Sequence, residues 1–249
     1  MCEVCEASDS RTQASVSTSR RAALGRMGAF SLLGLSAVAG VAYAKSPPKP
    51  GNVLSPDEAI KRLMEGNERY TSGKTQSRSF ASTRAALASG QNPYASILSC
   101  ADSRVSPELC FDEERGDLFV TRVAGNYVTA DILASLEYGV AVLNTPLIMV
   151  LGHTRCGAVG ATVSALEKQA EFPGHIQGIV TALMPAVRAA AAGPHKGTLL
   201  QAATIENIKQ NVQRLQEATP ILSKAVQTNQ LKVVGGLYDL ETGRIERVG

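Results

Sequence analysis

Apolar positions along the chain follow two periods. Ile60, Leu63, Met64 and Asn67 recur on one helical face. Just before them, Ser55-Pro56-Asp57-Glu58 supplies an N-cap serine, a proline in the first turn and a glutamate three residues after the serine, so a capping box is expected there. Thr71-Ser72-Gly73 is the expected stop. A second short helix is predicted over 82–88, closed by Gly90. Beyond it, short apolar runs alternate with helical patterns. Strands are predicted over 94–99, 118–123, 146–151 and 231–240, and helices over 130–143, 157–167, 175–192 and 199–217. The run PLIMVL at 146–151 lacks polar alternation, as suits a strand covered on both faces. Strand–helix alternation predicts a single α/β domain, a mainly parallel sheet flanked by helices.

Residues 1–44 break this pattern. Arg20-Arg21 is followed by an uncharged run from Met27 to Val41, then Ala42-Tyr43-Ala44, then a proline-rich stretch to Pro50. A cationic flank, a short apolar core and a small-residue cleavage site make an export signal. The core falls short of the ~20 residues that span a bilayer. The arginine pair with Leu24 resembles a twin-arginine signal, although Ala23 stands where that signal usually has Phe. The expectation is therefore an export signal over 1–44, a folded domain over 45–249, and a periplasmic product that meets the membrane only through the export machinery. An ordinary secretory signal or an uncleaved anchor would use the same residues.

Composition narrows the picture further. With 44% apolar and 19% charged residues in 249, the chain is neither disordered nor a small disulfide scaffold. A formal net charge of +3 gives no basic face for nucleic acid. Cys2 and Cys5 form a C-x-x-C with no second pair nearby and lie in the expected leader. Cys100, Cys110 and Cys156 remain, an odd number that argues against a disulfide framework.

In a parallel sheet, reactive groups gather at the carboxyl ends of strands. One predicted strand ends in Cys100-Ala101-Asp102-Ser103-Arg104 and another in Gly152-His153-Thr154-Arg155-Cys156-Gly157. Cys100, His153 and Cys156 suit a Cys₂His zinc site, with the fourth tetrahedral position left for water or substrate. Asp102 and Arg104 are spaced to pair, and an Asp held by Arg beside a zinc-bound water is a reasonable acceptor for its proton. Two buried cysteines and a core histidine would also account for the trio. Cys110 reads as a buried spectator, His175 as a helix-start residue, His195 as an exposed loop residue, and Asp112 to Asp117 as a solvated turn.

These two motifs together resemble the β-class carbonic anhydrases, over about residues 55–243. The resemblance implies an α/β sheet assembled as homodimers or higher oligomers, with one Zn²⁺ per chain on Cys100, His153 and Cys156 and an Asp102–Arg104 dyad. It implies reversible hydration of CO₂ to bicarbonate by attack of zinc-bound hydroxide. It also implies a substrate pocket using Gln91 across the subunit interface, with Phe119 and Tyr138. Ile97 stands where a bicarbonate-regulated branch carries Trp, so an open site is expected; in the closed form Asp102 would be a fourth ligand. Arg122 matches an arginine of that branch's regulatory pocket, and Arg122-Val123-Ala124-Gly125-Asn126 departs from the family's usual Arg-Asn-x-Ala-Asn. Two other readings fit the same motifs: a zinc hydrolase of a CO₂ analogue (carbonyl sulfide or carbon disulfide), and a non-catalytic zinc- or bicarbonate-binding module.

Overall fold

Five strands, β1 (Ala95–Ser99), β2 (Leu118–Arg122), β3 (Leu147–His153), β4 (Lys232–Tyr238) and β5 (Ile245–Val248), form one sheet in the order β2-β1-β3-β4-β5. This computed structural model describes residues 49–249, so the expected leader over 1–44 lies outside the described residues. All pairings are parallel except β4 with β5, which gives the mainly parallel sheet that the alternation predicted.

The helices are α1 (Pro56–Thr71), α2 (Phe80–Ala88), α3 (Pro107–Cys110), α4 (Ala130–Ala141), α5 (Gly157–Lys168), α6 (Ile176–Ala192), α7 (Leu199–Glu217) and α8 (Ile221–Gln227). The capping box forms as read: the Glu58 N–H donates to Ser55 Oγ, and the Ser55 N–H donates back to Glu58 Oε2 at 2.8 Å. Both faces of the central strands are covered. Ile97, Leu147, Met149 and Leu151 pack with Ala59, Ile60 and Leu63 of α1. Leu98, Ile148 and Val150 pack on the opposite face with Leu136 of α4, Ile208 and Leu215 of α7, and Leu222 of α8. The period of two divides each strand between these cores. A third cluster of α5, α6 and α7 residues includes Cys100 and Cys156.

The strand order matters for the site. From β1 the chain moves outward to β2, then returns to place β3 on the other side of β1. The crevice between the carboxyl ends of β1 and β3 is the topological switch point, where α/β sheets bind ligands.

Several expectations need correction. Helix α2 starts at Phe80, two residues before the predicted 82, and has no buried residue. Helices α3 and α8 and strand β5 lie outside the predicted elements; β5 is a four-residue edge strand with Glu246 and Arg247 exposed. The larger correction concerns Asp112 to Asp117. Asp112, Glu113 and Asp117 are buried, so the acidic side chains of this turn are not solvated. Asp112 takes Arg69 and Arg78, each at 2.6 Å. Glu113 takes Arg62 at 2.7 Å and the Tyr94 hydroxyl at 2.8 Å, and Asp117 takes Lys49 at 2.8 Å. Burial pulls the Asp112 carboxyl up, but Arg69, Arg78 and the Gln76 N–H together hold it below the usual carboxylate range.

Candidate metal centre

Cys100 directly follows β1, and His153 is the last residue of β3. Cys156 is the N-cap residue of α5, reached through Arg155 at φ +56°. Two neighbouring parallel strands and one helix start therefore converge on the switch point. The three ligand-type atoms lie within 4.8 Å of one another, and all three residues are buried.

The donor set passes a fit test. The two sulfurs stand 4.0 Å apart, with both thiols free. A tetrahedral ion with metal–sulfur bonds of about 2.3 Å would separate them by about 3.8 Å. His153 Nδ1 lies 3.0 Å from the Thr154 carbonyl, which only accepts, so Nδ1 carries the proton and Nε2 keeps its lone pair. That Nε2 is buried with no hydrogen-bond partner; among the described residues only Asn126 Nδ2 shares this state. A buried acceptor without a donor is costly unless something electropositive meets it. The sulfurs are tuned as well. The Cys156 thiol, helped by the Gly125 N–H, outweighs burial and favours Cys100 as the thiolate. Cys156 is pushed up by that bond and by burial, against the N–H groups of Val159 and Ala158 at the start of α5. Two thiolates and an imidazole at this spacing suit zinc.

Asp102 and Arg104 are paired as their spacing implied. Arg104 Nε and Nη2 donate to the two carboxylate oxygens at 2.9 and 2.7 Å, and the Arg104 N–H adds a third bond at 3.0 Å. The Arg104 side chain, acting against burial, holds the Asp102 carboxyl well below its usual range. Asp102 Oδ2 lies 3.8 Å from His153 Nε2, too far for a hydrogen bond but facing the trio. Arg122 braces this loop from β2, donating to the carbonyls of Cys100 at 2.9 Å, Asp102 at 2.7 Å and Val105 at 2.9 Å. Spacing alone could not reveal that bracing.

The structure does not bring Gln91, Phe119 and Tyr138 to the trio of the same chain. Gln91 is exposed and precedes β1, whereas Cys100 follows it. Five strand residues intervene, about 17 Å at ~3.3 Å each. Phe119 registers opposite Ser96, in the amino-terminal half of edge strand β2. Tyr138 of α4 is 47% exposed, with its ring centroid 6.2 Å from that of Phe119. Cys110 is buried, as expected, beneath Tyr238; His175 is the N-cap residue of α6, and His195 is exposed.

Residues 95–245 match the carbonic anhydrase family model. Carbonic anhydrase 2 of Mycobacterium tuberculosis is 38% identical over 192 residues, covering 76% of this chain and 91% of that protein. The carbonic anhydrase of Mycolicibacterium smegmatis is 36% identical over 194 residues, covering 77% and 93%. Among solved structures, the β-carbonic anhydrase CcaA superposes with a TM-score of 0.59 at 28% identity, covering 76% of this chain and 98% of that one. A Coccomyxa β-carbonic anhydrase superposes at 0.58 with 26% identity, covering 77% and 82%. The chain belongs to the β-class carbonic anhydrases.

Proposed function

We propose that this carbonic anhydrase hydrates CO₂ reversibly to bicarbonate and a proton with one zinc ion per chain, held by Cys100, His153 and Cys156, and that it works in the periplasm as a homo-oligomer. The observation that carries the metal reading is the orphaned, buried Nε2 of His153 facing two sulfurs 4.0 Å apart. A zinc ion held there supplies Lewis acidity that brings the ionisation of water down to about pH 7, which furnishes a nucleophile for CO₂ at neutral pH.

The remaining chemistry falls to the chain's own side chains. Asp102, kept ionised by Arg104, is an acceptor only. Its Oδ2 accepts the hydrogen of the reacting water and so aims an oxygen lone pair at the CO₂ carbon. The Arg104 guanidinium engages both carboxylate oxygens and keeps Asp102 from turning onto the trio as a further ligand. Arg122 fixes the loop on which both sit. CO₂ is small and apolar, so its pocket needs an apolar slot and one polar guide. Phe119 and Tyr138 suit the slot and Gln91 the guide. Their distance from the trio of their own chain supports a pocket completed by a second copy, which is why we assign a homo-oligomer.

Stopped-flow CO₂ hydration by the full chain at about pH 7 to 8.5, with zinc measured on the same sample, tests the activity. Fast hydration with about one zinc per chain is expected, lost on chelation and restored by zinc. Bound zinc without hydration would leave a binding module, and faster turnover of carbonyl sulfide or carbon disulfide an analogue hydrolase. The periplasmic assignment rests on the pattern in residues 1–44. Replacing Arg20 and Arg21 together by Lys should leave the precursor in the cytoplasmic fraction. Unimpaired delivery of that variant to the periplasm would rule out the twin-arginine route.

A further inference from the structure

The turn after β2 aims a backbone N–H at one of the two metal-facing sulfurs, and a helix 82 residues further along holds that turn in place. We propose that Asn207, supported by Asn211, is a positioning residue for the metal centre. It fixes the Gly125 N–H on Cys100 Sγ and thereby sets how much charge that thiolate gives the metal. The inference deepens the metal reading above and rests on it.

Gly125 donates its N–H to Cys100 Sγ at 3.3 Å, while its carbonyl accepts from Asn207 Nδ2 at 2.9 Å. Both backbone polar groups of one residue are thus committed, one to the metal site and one to α7. Only glycine fits here. Its φ is +88°, and a Cβ would lie 2.7 Å from Leu183 Cδ1 and 3.3 Å from Ala158 Cβ. The turn is therefore pressed onto α5 and α6 on one side and tied to α7 on the other.

Asn211 completes the arrangement. Its Nδ2 donates to Asn207 Oδ1 at 2.9 Å, which fixes which way the Asn207 amide points, and its Oδ1 accepts the Val128 N–H at 2.7 Å. Arg214 Nη1 donates to the Val128 carbonyl at 2.9 Å. Residues 207, 211 and 214 fall at i, i+4 and i+7 on one helical face, so α7 grips the segment from Gly125 to Val128 along its length. Both asparagines are buried beside Ile208 and Leu215 of the same helix. An apolar residue would pack there more cheaply, since a buried amide is tolerated only when its bonds are made. The bonds that Asn207 and Asn211 make lead to the turn, and the turn leads to the sulfur. An N–H directed at a thiolate stabilises its negative charge, so less is donated to the metal. Holding that N–H in place is a form of outer-shell control.

The test uses full-length protein loaded with cobalt(II), whose thiolate-to-metal charge-transfer band reads sulfur electron density directly. In Asn207→Leu, which keeps the branched heavy-atom shape and removes the donor, the band should move to longer wavelength with cobalt still at one per chain. Asn207→Val, smaller and equally without a donor, gives the same shift and serves if the leucine variant does not fold. Gln210→Leu, on the same helix but bonded only to Glu206, should leave the band unmoved. A purely structural role for Asn207 would lower the melting temperature without moving the band, and that result overturns the proposal. A wild-type protein that shows no thiolate band overturns the ligand reading and this inference together, whereas a wild-type band unmoved in both variants overturns the inference alone.

Discussion

Mixing equal amounts of Cys156→Ser and Gln91→Leu chains restores about a quarter of wild-type CO₂ hydration, although neither variant alone is appreciably active. The expectation follows from where the structure puts each residue. Cys156 supplies one of three metal-facing atoms, and its replacement by Ser exchanges a thiolate for a hydroxyl that zinc binds poorly. Cys156→Ser should lose zinc and activity together. Gln91 stands at the amino end of β1, opposite the end that carries Cys100. Removing its amide should lower turnover by about 10²-fold, the lower end of the loss on deleting one transition-state donor, while zinc stays bound. In a homo-oligomer with composite sites, each pocket takes its trio from one chain and its glutamine from a neighbour. Random mixing pairs an intact trio with an intact glutamine at about one site in four. Denaturing and refolding the two variants together with zinc, or co-expressing them with different tags, gives the mixture. If the mixture is no more active than the sum of its parts, glutamine and trio belong to the same chain's pocket and the composite site is wrong.

The convergence of Cys100, His153 and Cys156 was legible in the sequence because each sits in a short motif at a strand end. His153-x-x-Cys156 closes over one strand-to-helix turn, and Cys100 directly follows a strand that the sequence marks. The Asp102–Arg104 pair, two residues apart, was legible for the same reason. What failed was long-range. Asp112, Glu113 and Asp117 look like a solvated acidic turn because their partners Arg62, Arg69, Arg78 and Lys49 lie 34 or more residues away. Asn207 and Asn211 carry no mark in the sequence, because the loop they bond lies 82 and 83 residues upstream. Strand β5 is four residues long with two exposed charges, so neither its length nor its alternation rises above a loop. Its first N–H is taken by Asn67 Oδ1 of α1, 178 residues earlier, a contact that only the assembled fold provides. Local propensity marks elements and short motifs, whereas burial of charge and the holding of loops depend on neighbours that the sequence does not mark.

Asp112→Asn should destabilise the fold by about 3 kcal/mol at neutral pH while leaving the metal trio in place. The side chain is 1% exposed and takes Arg69 Nε on one oxygen and Arg78 Nη1 on the other, each at 2.6 Å, with the Gln76 N–H bonding to the same carboxylate. Asparagine is the informative replacement. Asp112 has φ +46°, a conformation that Asn tolerates well, so the substitution removes charge without forcing the backbone. Breaking a buried pair by removing one partner costs ~3–5 kcal/mol. The low end applies because Arg69 and Arg78 are 28% and 18% exposed and partly regain water. At about 2–4 °C per kcal/mol for a domain of this size, the melting temperature falls by roughly 6–12 °C. The pH dependence separates charge from shape. The folded carboxyl is held below its unfolded value of ~3.9, so its stabilisation is full above that pH and is lost as pH falls through the lower, folded value. The gap between wild type and Asp112→Asn in urea unfolding should therefore be wide at neutral pH and close progressively below about pH 4. A gap that stays constant into acid would assign the loss to hydrogen-bond geometry alone. A gap under about 1 kcal/mol at neutral pH would mean that this buried pair contributes no more than an exposed one.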